Sequence, residues 1–331
     1  MSTETYALKE LNKETRIGGM GVEIEREIPQ IDMSDYAARK PEITEALWTA
    51  ATEIGFFQLT NHGIPQTLVD EAFALTAAFF DLPAETKARY PLRPGTNSGW
   101  EFKEQVRPST GTADNKESYQ ITLPRMADLW PTGAEVPGFK ATMLAFERAN
   151  WALGMKVLSC FADRLGFDTD FFTVAHDPLV PEYQSTLRLL HYLGMEDAKP
   201  EDFRFWRAGA HTDFDCLTLL HQKAGHGGLQ LCPGKDTEGR AIGWTDVPPL
   251  EGVITCNIGD MLMRWSDDKL LSNLHRVRMP KPDEYLGPRY SLAFFCQANT
   301  DAMLAGPEGK YEPMTAHDYI QMRLGANFHK T

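Results

Sequence analysis

Long apolar runs are missing from this 331-residue sequence, and no stretch approaches the roughly 20 residues that a membrane-crossing helix needs. The polar first residues also lack the apolar core of a secretion signal. These two absences give the expectation of a cytoplasmic protein with no membrane partner. Positive charge is scarce as well. Thirty-three Lys and Arg against 46 Asp and Glu leave a formal net charge of −13. A surface of that sign repels phosphate backbones, which argues against nucleic acid and fits a well-solvated globule. Cysteine is sparse, with five residues (Cys160, Cys216, Cys232, Cys256 and Cys296) in no Cys-x-x-Cys spacing. The odd count and the spacing fit reduced thiols, and none is assigned to a metal. Internal repeats and inter-domain linkers are absent too, and the pattern assigns no oligomeric state.

What is present is ample apolar material. A hydrophobic content of 42% is ordinary for a globular protein, and the length suits one large domain or a core plus a helical subdomain. Residues 1–27 read as a loosely held polar lead. Residues 28–182 begin with an extended Ile28–Asp32, a helix over 41–53 and a strand over 55–60. Asn61-His62-Gly63 is a turn, with His62 a turn residue rather than a ligand. A helix from Pro65 places Leu68, Ala72, Leu75 and Phe79 on one face, and a short helix covers 81–87. The Gly-, Pro-, Ser- and Thr-rich stretch from Arg93 to Asn115 reads as a lid loop. Its Trp100 and Phe102 either wall the substrate or anchor the loop. A strand over 116–122 carries Tyr119 toward the site, and the longest helix, 138–165, stops at Gly166 and scaffolds the core.

From residue 183 to 300 the pattern changes to short β-rich segments at 187–192, 217–221, 229–231, 253–257, 261–264, 275–278 and 290–295. Turn residues separate them, including Gly225–Gly228 and Pro233-Gly234. Many short strands with such punctuation predict a sandwich or jelly roll. The tail, 301–331, carries a helix that starts with a cap-like Thr315 and reaches Leu324. The fold class is therefore α+β, with a jelly-roll core, an N-terminal α/β segment, a long scaffold helix and a C-terminal helix.

Chemistry concentrates in three short motifs. His211-Thr212-Asp213, read as an extended strand, puts two ligand-type side chains on one face. His275 completes a two-histidine, one-carboxylate set, the ligand combination of non-haem iron(II) oxygenases. Three ligands leave coordination positions for a co-substrate and dioxygen. On its own the His-x-Asp pair also fits a polar strand edge with no metal. Arg289 and Ser291, again two apart on an apolar strand, turn a guanidinium and a hydroxyl inward. That suits a carboxylate ligand, since a buried cation is costly until an anion meets it. The alternative is an arginine paired with a carboxylate of the protein.

Together, His211-x-Asp213, His275 and Arg289-x-Ser291 resemble the isopenicillin N synthase-like group of iron(II)/2-oxoglutarate-dependent dioxygenases. Leu187-Arg-Leu-Leu-His-Tyr192, Arg264-Trp-Ser-Asp267 and Arg289-Tyr-Ser-Leu-Ala-Phe-Phe-Cys296 are similar in wording to the branch with the fungal thymine hydroxylases. The resemblance implies a double-stranded β-helix core, iron(II) on His211, Asp213 and His275, and 2-oxoglutarate and dioxygen as co-substrates. It implies that Arg289 and Ser291 hold the far carboxylate of 2-oxoglutarate and that Tyr192 contacts the same molecule. It also implies substrate contacts at Arg188, Phe214 and Phe295, two phenylalanines stacking on a flat ring and an arginine meeting its polar substituent. Ser185 stands where the thymine hydroxylases carry an asparagine, Leu190 where many plant relatives carry one, and Asp215 where relatives often carry glycine.

The implied reaction decarboxylates 2-oxoglutarate to succinate and carbon dioxide while oxidising a small, planar cyclic metabolite. Hydroxylation, desaturation, ring closure and ring expansion all remain open. Two other readings stay open as well, an oxidase of the isopenicillin N synthase type that needs no 2-oxoglutarate, and a metal-free jelly-roll binding protein.

Overall fold

Two residue spacings, 2 and 3.6, sort the chain into strands and helices in the computed structural model, which describes residues 21–104, 113–195, 206–232, 243–281 and 283–328. β1 (Val22–Glu23) and β2 (Gln30–Asp32) lead into α1 (Tyr36–Glu53), β3 (Phe56–Thr60), α2 (Gln66–Phe80) and the one-turn α3 (Ala84–Lys87). β4 (Gly99–Phe102) and β5 (Lys116–Ile121) precede the long α4 (Phe139–Leu165) and the short α5 (Phe171–Ala175). The β-rich part holds β6 (Thr186–Tyr192), β7 (Trp206–His211), β8 (Leu217–Gln222), β9 (Leu229–Cys232), β10 (Gly243–Asp246) and β11 (Ile254–Ile258). It continues through α6 (Asp260–Trp265), β12 (Leu274–Arg278) and β13 (Arg289–Cys296) to β14 (Met303–Leu304), β15 (Met314–Thr315) and α7 (Ala316–Phe328).

The major sheet runs β2-β3-β11-β8-β13-β6-β5-β4 and the minor sheet β1-β10-β9-β12-β7. Residues of both sheets, among them Leu220 and Ala293 of one and Ala208 and Val277 of the other, line one cavity between them. This is the jelly roll expected from the strand pattern, and the fold is α+β. The other face of the major sheet is covered by α4. Phe139, Met143, Phe146, Leu153, Val157, Phe161 and Leu165 recur at helical spacing and are all buried. Each such side chain contributes about 1.5–3 kcal/mol of burial. Gly166, at φ 80°, ends the helix in the left-handed conformation that glycine adopts without strain. Thr315 accepts a hydrogen bond at its Oγ1 from Asp318 N (3.0 Å), so the cap of the last helix is formed as its sequence predicts.

Several elements differ from the expectations. α1 starts at Tyr36, five residues before Pro41. Arg39 bonds Asp32 and Ser34 and anchors an extra turn that the proline signal hides. Met261–Arg264 lies in a helix, because so short an apolar run carries no usable period and Gly259 caps it. The strands β7 and β10 lie outside the predicted set. Within residues 1–27, Val22–Glu23 pairs with β10, so the described part of the lead is tied to the minor sheet. The Arg93–Asn115 loop contains β4, which pairs with β5; residues 105–112 and the Pro233-Gly234 turn lie outside the described residues.

α4 approaches the sheet closely at Gly154, where an added Cβ would stand 2.5 Å from Cys296 Sγ. Gly154→Ala gains about 1 kcal/mol of helix propensity but overpacks the contact at a cost of roughly 1–3 kcal/mol. Urea unfolding should show a net loss. In a Cys296→Ala background the same change should stabilise, and destabilisation in both backgrounds would assign the cost elsewhere.

Candidate active site

Strand alternation decides which side chains reach the cavity. Arg289, Ser291, Ala293 and Phe295 of β13 line it, whereas Leu292, Phe294 and Cys296 pack into the core under α4. Register aligns these rows across strands: Tyr192 and Lys116 lie level with Arg289, while Arg188 and Gln120 lie level with Ala293. At about 3.3 Å per residue the two rows stand roughly 13 Å apart along the strands.

The same phase removes three expected site residues. Tyr119 is fully buried on the opposite face, against Phe79 and Phe139, with its hydroxyl donating to Leu129 O. Trp100, level with Tyr119, packs on the core and donates its Nε1 to Glu117 (2.7 Å). It anchors, and its neighbour Glu101 reaches the cavity instead. Ser185 turns to the backbone of Gln297, donating to its oxygen (3.1 Å) and accepting from its nitrogen (3.2 Å). None of the three lines the cavity.

His211, Asp213 and His275 do converge. One ligand atom from each lies within 4.8 Å of the others. Asp213 Oδ1 stands 3.9 Å from His211 Nε2 and 3.6 Å from His275 Nε2. The means of convergence differs from the expected strand alternation. His211 is the last residue of β7, and Asp213 sits in the turn beyond it. Its backbone oxygen accepts from Asp260 N (2.8 Å), which ties that turn to the start of α6. Cross-strand pairing of β12 with β7 then sets His275 opposite His211.

The surrounding groups orient this set. The Gly209 oxygen, 2.8 Å from His211 Nδ1, is an acceptor only, so Nδ1 donates there and Nε2 is the nitrogen turned to Asp213. Asp213 Oδ2 accepts from Thr218 Oγ1 (2.6 Å) and Asn257 Nδ2 (2.9 Å), leaving Oδ1 toward the two imidazoles. Two imidazole nitrogens and one carboxylate oxygen, held from behind in this way, can hold a divalent first-row metal on three positions.

Asp215 is buried rather than solvent-facing, with Oδ2 3.1 Å from Thr218 Oγ1. Burial, and then the adjacent Asp213, push its carboxyl pKa well above the usual range, which favours the neutral acid. Thr218, Asn257 and Gln222 escape motif reading because each is an uncharged polar residue in a mostly apolar strand, with no characteristic spacing to the ligand residues.

Arg289 is buried in the cavity wall, and desolvation lowers its pKa. Its guanidinium meets neutral groups: His226 O (3.0 Å), Gln222 Oε1 (3.0 Å), Ser291 Oγ (3.4 Å) and the Tyr192 ring (4.9 Å to the centroid). Among the described residues no carboxylate stands within ion-pair distance of it. It is a buried cation with neutral neighbours rather than half of a protein ion pair.

The cavity measures about 1090 Å³ and also exposes Phe214, Phe295 and Arg188. One guanidinium lies over each phenyl ring, Arg323 at 4.3 Å from Phe214 and Arg188 at 5.1 Å from Phe295. The side chains of His221 and His226 lie outside the His211, Asp213 and His275 set. His221 pairs with Asn150 (2.7 Å), and burial pushes its pKa down to about 3.

Two family models match the chain. Residues 28–133 match the family model for the N-terminal region of non-haem dioxygenases of morphine synthesis, and residues 183–298 match the 2OG-Fe(II) oxygenase superfamily. The proline hydroxylase buaE of Petromyces alliaceus is 32% identical, covering 90% of this chain and 98% of its own. The 2-oxoglutarate-Fe(II) type oxidoreductase hxnY of Emericella nidulans is 31% identical, covering 88% of each. Among solved structures, the full-length thymine-7-hydroxylase of Neurospora crassa in complex with alpha-KG and thymine superposes with a TM-score of 0.77 at 31% identity, covering 91% of this chain and 97% of that one.

Groups that orient metal ligands are commonly worth 10- to 100-fold in metal affinity. Thr218→Val and Asn257→Leu should therefore each weaken iron(II) binding by about that factor while the melting temperature shifts little. Unchanged iron(II) affinity in both variants would show that Asp213 needs no such support.

Proposed function

The chain belongs to the 2OG-Fe(II) oxygenases, and from that membership we propose that it oxidises a small, planar cyclic metabolite held between Phe214 and Phe295. It is an oxidoreductase; iron(II), when bound, would supply the dioxygen chemistry that is coupled to conversion of 2-oxoglutarate into succinate and carbon dioxide. We assign the metal to His211, Asp213 and His275, and the distal carboxylate of 2-oxoglutarate to Arg289 and Ser291, with Tyr192 beside them.

The single observation that carries the co-substrate assignment is the buried, carboxylate-free guanidinium of Arg289. Its neutral contacts fix the plane of the fork without neutralising it, so a carboxylate arriving there gains charge-assisted hydrogen bonds. The same observation favours 2-oxoglutarate over the oxidase reading. A substrate carboxylate on Arg289 would lie about 13 Å along the strand from the Arg188 row, at the far end of the cavity from the aromatic pair.

For the substrate, Phe214 and Phe295 offer stacking faces and Arg188 a donor for an oxygen or nitrogen on the ring. A guanidinium already covers one face of each phenyl ring, so a flat substrate stacks on the other. A cavity of about 1090 Å³ has room for a co-substrate and a small metabolite together. Ser185 bonds the backbone of Gln297 and does not line the cavity, so thymine itself is not the proposed substrate. No helix among the described residues is long and apolar enough to cross a membrane. The five cysteines, all buried and free, support our placing the enzyme in the cytoplasm.

Three outcomes test this reading. Alanine at His211, Asp213 or His275 should abolish iron(II) binding and turnover while the fold persists; wild-type iron(II) affinity in these variants would end the metal assignment. Arg289→Lys keeps the charge but loses the fork, costing about 1–3 kcal/mol. That is roughly a 10- to 100-fold rise in the 2-oxoglutarate dissociation constant, with substrate affinity much less affected. A weakened substrate with no 2-oxoglutarate requirement would favour the oxidase. Phe214→Ala and Phe295→Ala should weaken whichever small cyclic compound stimulates succinate release, and leave 2-oxoglutarate binding nearly unchanged. An unaltered substrate constant in both removes the aromatic pair.

A further inference from the structure

The C-terminal helix reaches the metal-ligand turn through one side chain. Arg323 of α7 is fully buried, and its Nη2 pairs with Asp260 Oδ2 at 2.8 Å; the Asp260 side chain is fully buried as well. The same nitrogen stands 3.2 Å from Thr212 Oγ1, the residue between His211 and Asp213. Thr212 Oγ1 donates in turn to Asp260 Oδ2 (2.8 Å). The Arg323 guanidinium also covers the Phe214 ring at 4.3 Å. One arginine thus holds the residues just before and just after Asp213. Asp260 adds a third hold through its backbone N–H on the Asp213 oxygen (2.8 Å).

A buried guanidinium–carboxylate pair is costly to desolvate and weak evidence for stability in itself. Its use here is geometric. The Asp213 turn lies beyond the last residue of β7, so sheet hydrogen bonds do not fix it. We propose that Arg323 is a positioning residue for the metal centre, holding the His211–Phe214 turn so that Asp213 faces the two histidines. Docking of α7, which also walls the cavity with Ile320 and Leu324, thereby completes the metal site. This inference rests on the metal assignment above.

Two variants test it without relying on one that leaves a buried charge alone. Arg323→Lys can still pair with Asp260 but cannot also bridge Thr212 and cover Phe214. Arg323→Met combined with Asp260→Asn removes both charges and keeps an acceptor for Thr212. Each purified apo protein is titrated anaerobically with cobalt(II), read by its visible absorption, and with iron(II) by chelator competition, alongside thermal unfolding. We expect melting temperatures near that of the wild type, with dissociation constants for both metals raised about tenfold, the lower end for groups that orient metal ligands. An altered cobalt(II) spectrum and a smaller loss in the lysine variant should accompany this. Wild-type metal constants and spectra in either folded variant would overturn the role of Arg323 and leave the metal assignment standing. A wild-type protein that binds neither metal would overturn both.

Discussion

Two-residue alternation across β5, β6, β13 and β8 is the constraint on which the molecule depends. One phase of these strands is mainly apolar and packs under α4, with Leu187, Leu189, Leu219, Leu292 and Phe294 in one continuous core. The other phase carries Lys116, Gln120, Arg188, Tyr192, Thr218, Arg289 and Ser291 into the cavity. A slip of one residue would exchange the two sets, moving charges into the core and leucines into the site. The register is therefore fixed by burial on one side, and the site inherits its precision from that fixed register. Arg289 and Arg188 keep their separation because their rows stand four residues apart along the strands.

Within that frame the buried charges divide into two kinds. Lys87–Glu117, Lys116–Asp114 and Arg323–Asp260 each meet a partner at 2.8 Å, and their chemistry is complete within the chain. Among the described residues, Arg289 meets neutral oxygens and a ring; Arg207 and Arg276 are also buried on neutral oxygens, but of the three Arg289 alone lines the cavity. An ionised group in so dry a setting costs several kcal/mol to bury unless an anion arrives, so the fold stores a preference for a ligand that carries a carboxylate. The His211, Asp213 and His275 set is incomplete in the complementary sense. It gathers electron-pair donors around one point, with Gly209, Thr218 and Asn257 holding them from behind.

Much of this is legible from spacing alone. The jelly roll follows from many short strands, the scaffold helix from its long apolar stripe, and the residues proposed for the metal and the anion from two i, i+2 pairs plus a histidine. What spacing does not carry is phase and tertiary tethering. Tyr119 and Trp100 are aromatic and near the site in sequence, yet one residue out of register with the cavity-facing row; Glu101 and Gln120 hold the right phase. The His211–Asp213 pair reads as strand alternation, whereas a turn held by Asp260, Arg323 and Thr212 brings it together. Arg323 and Asp260 lie 63 residues apart in sequence, and no local pattern links them. Helix α6 reads as a strand because three consecutive apolar residues have no measurable period, and α1 reads short because Pro41 outweighs the tertiary anchor at Arg39.

The central claim, that the fold holds an unneutralised guanidinium for the distal carboxylate of a 2-oxo acid, is tested most directly by varying that acid. Oxaloacetate, 2-oxoglutarate, 2-oxoadipate and 2-oxopentanoate, titrated anaerobically into the iron(II)-loaded protein, share the chelating end and differ only in the far end. The account predicts tightest binding for 2-oxoglutarate. It also predicts a loss of roughly 10- to 100-fold for 2-oxopentanoate, which leaves Arg289 without its anion. Equal affinity across the four acids would contradict it.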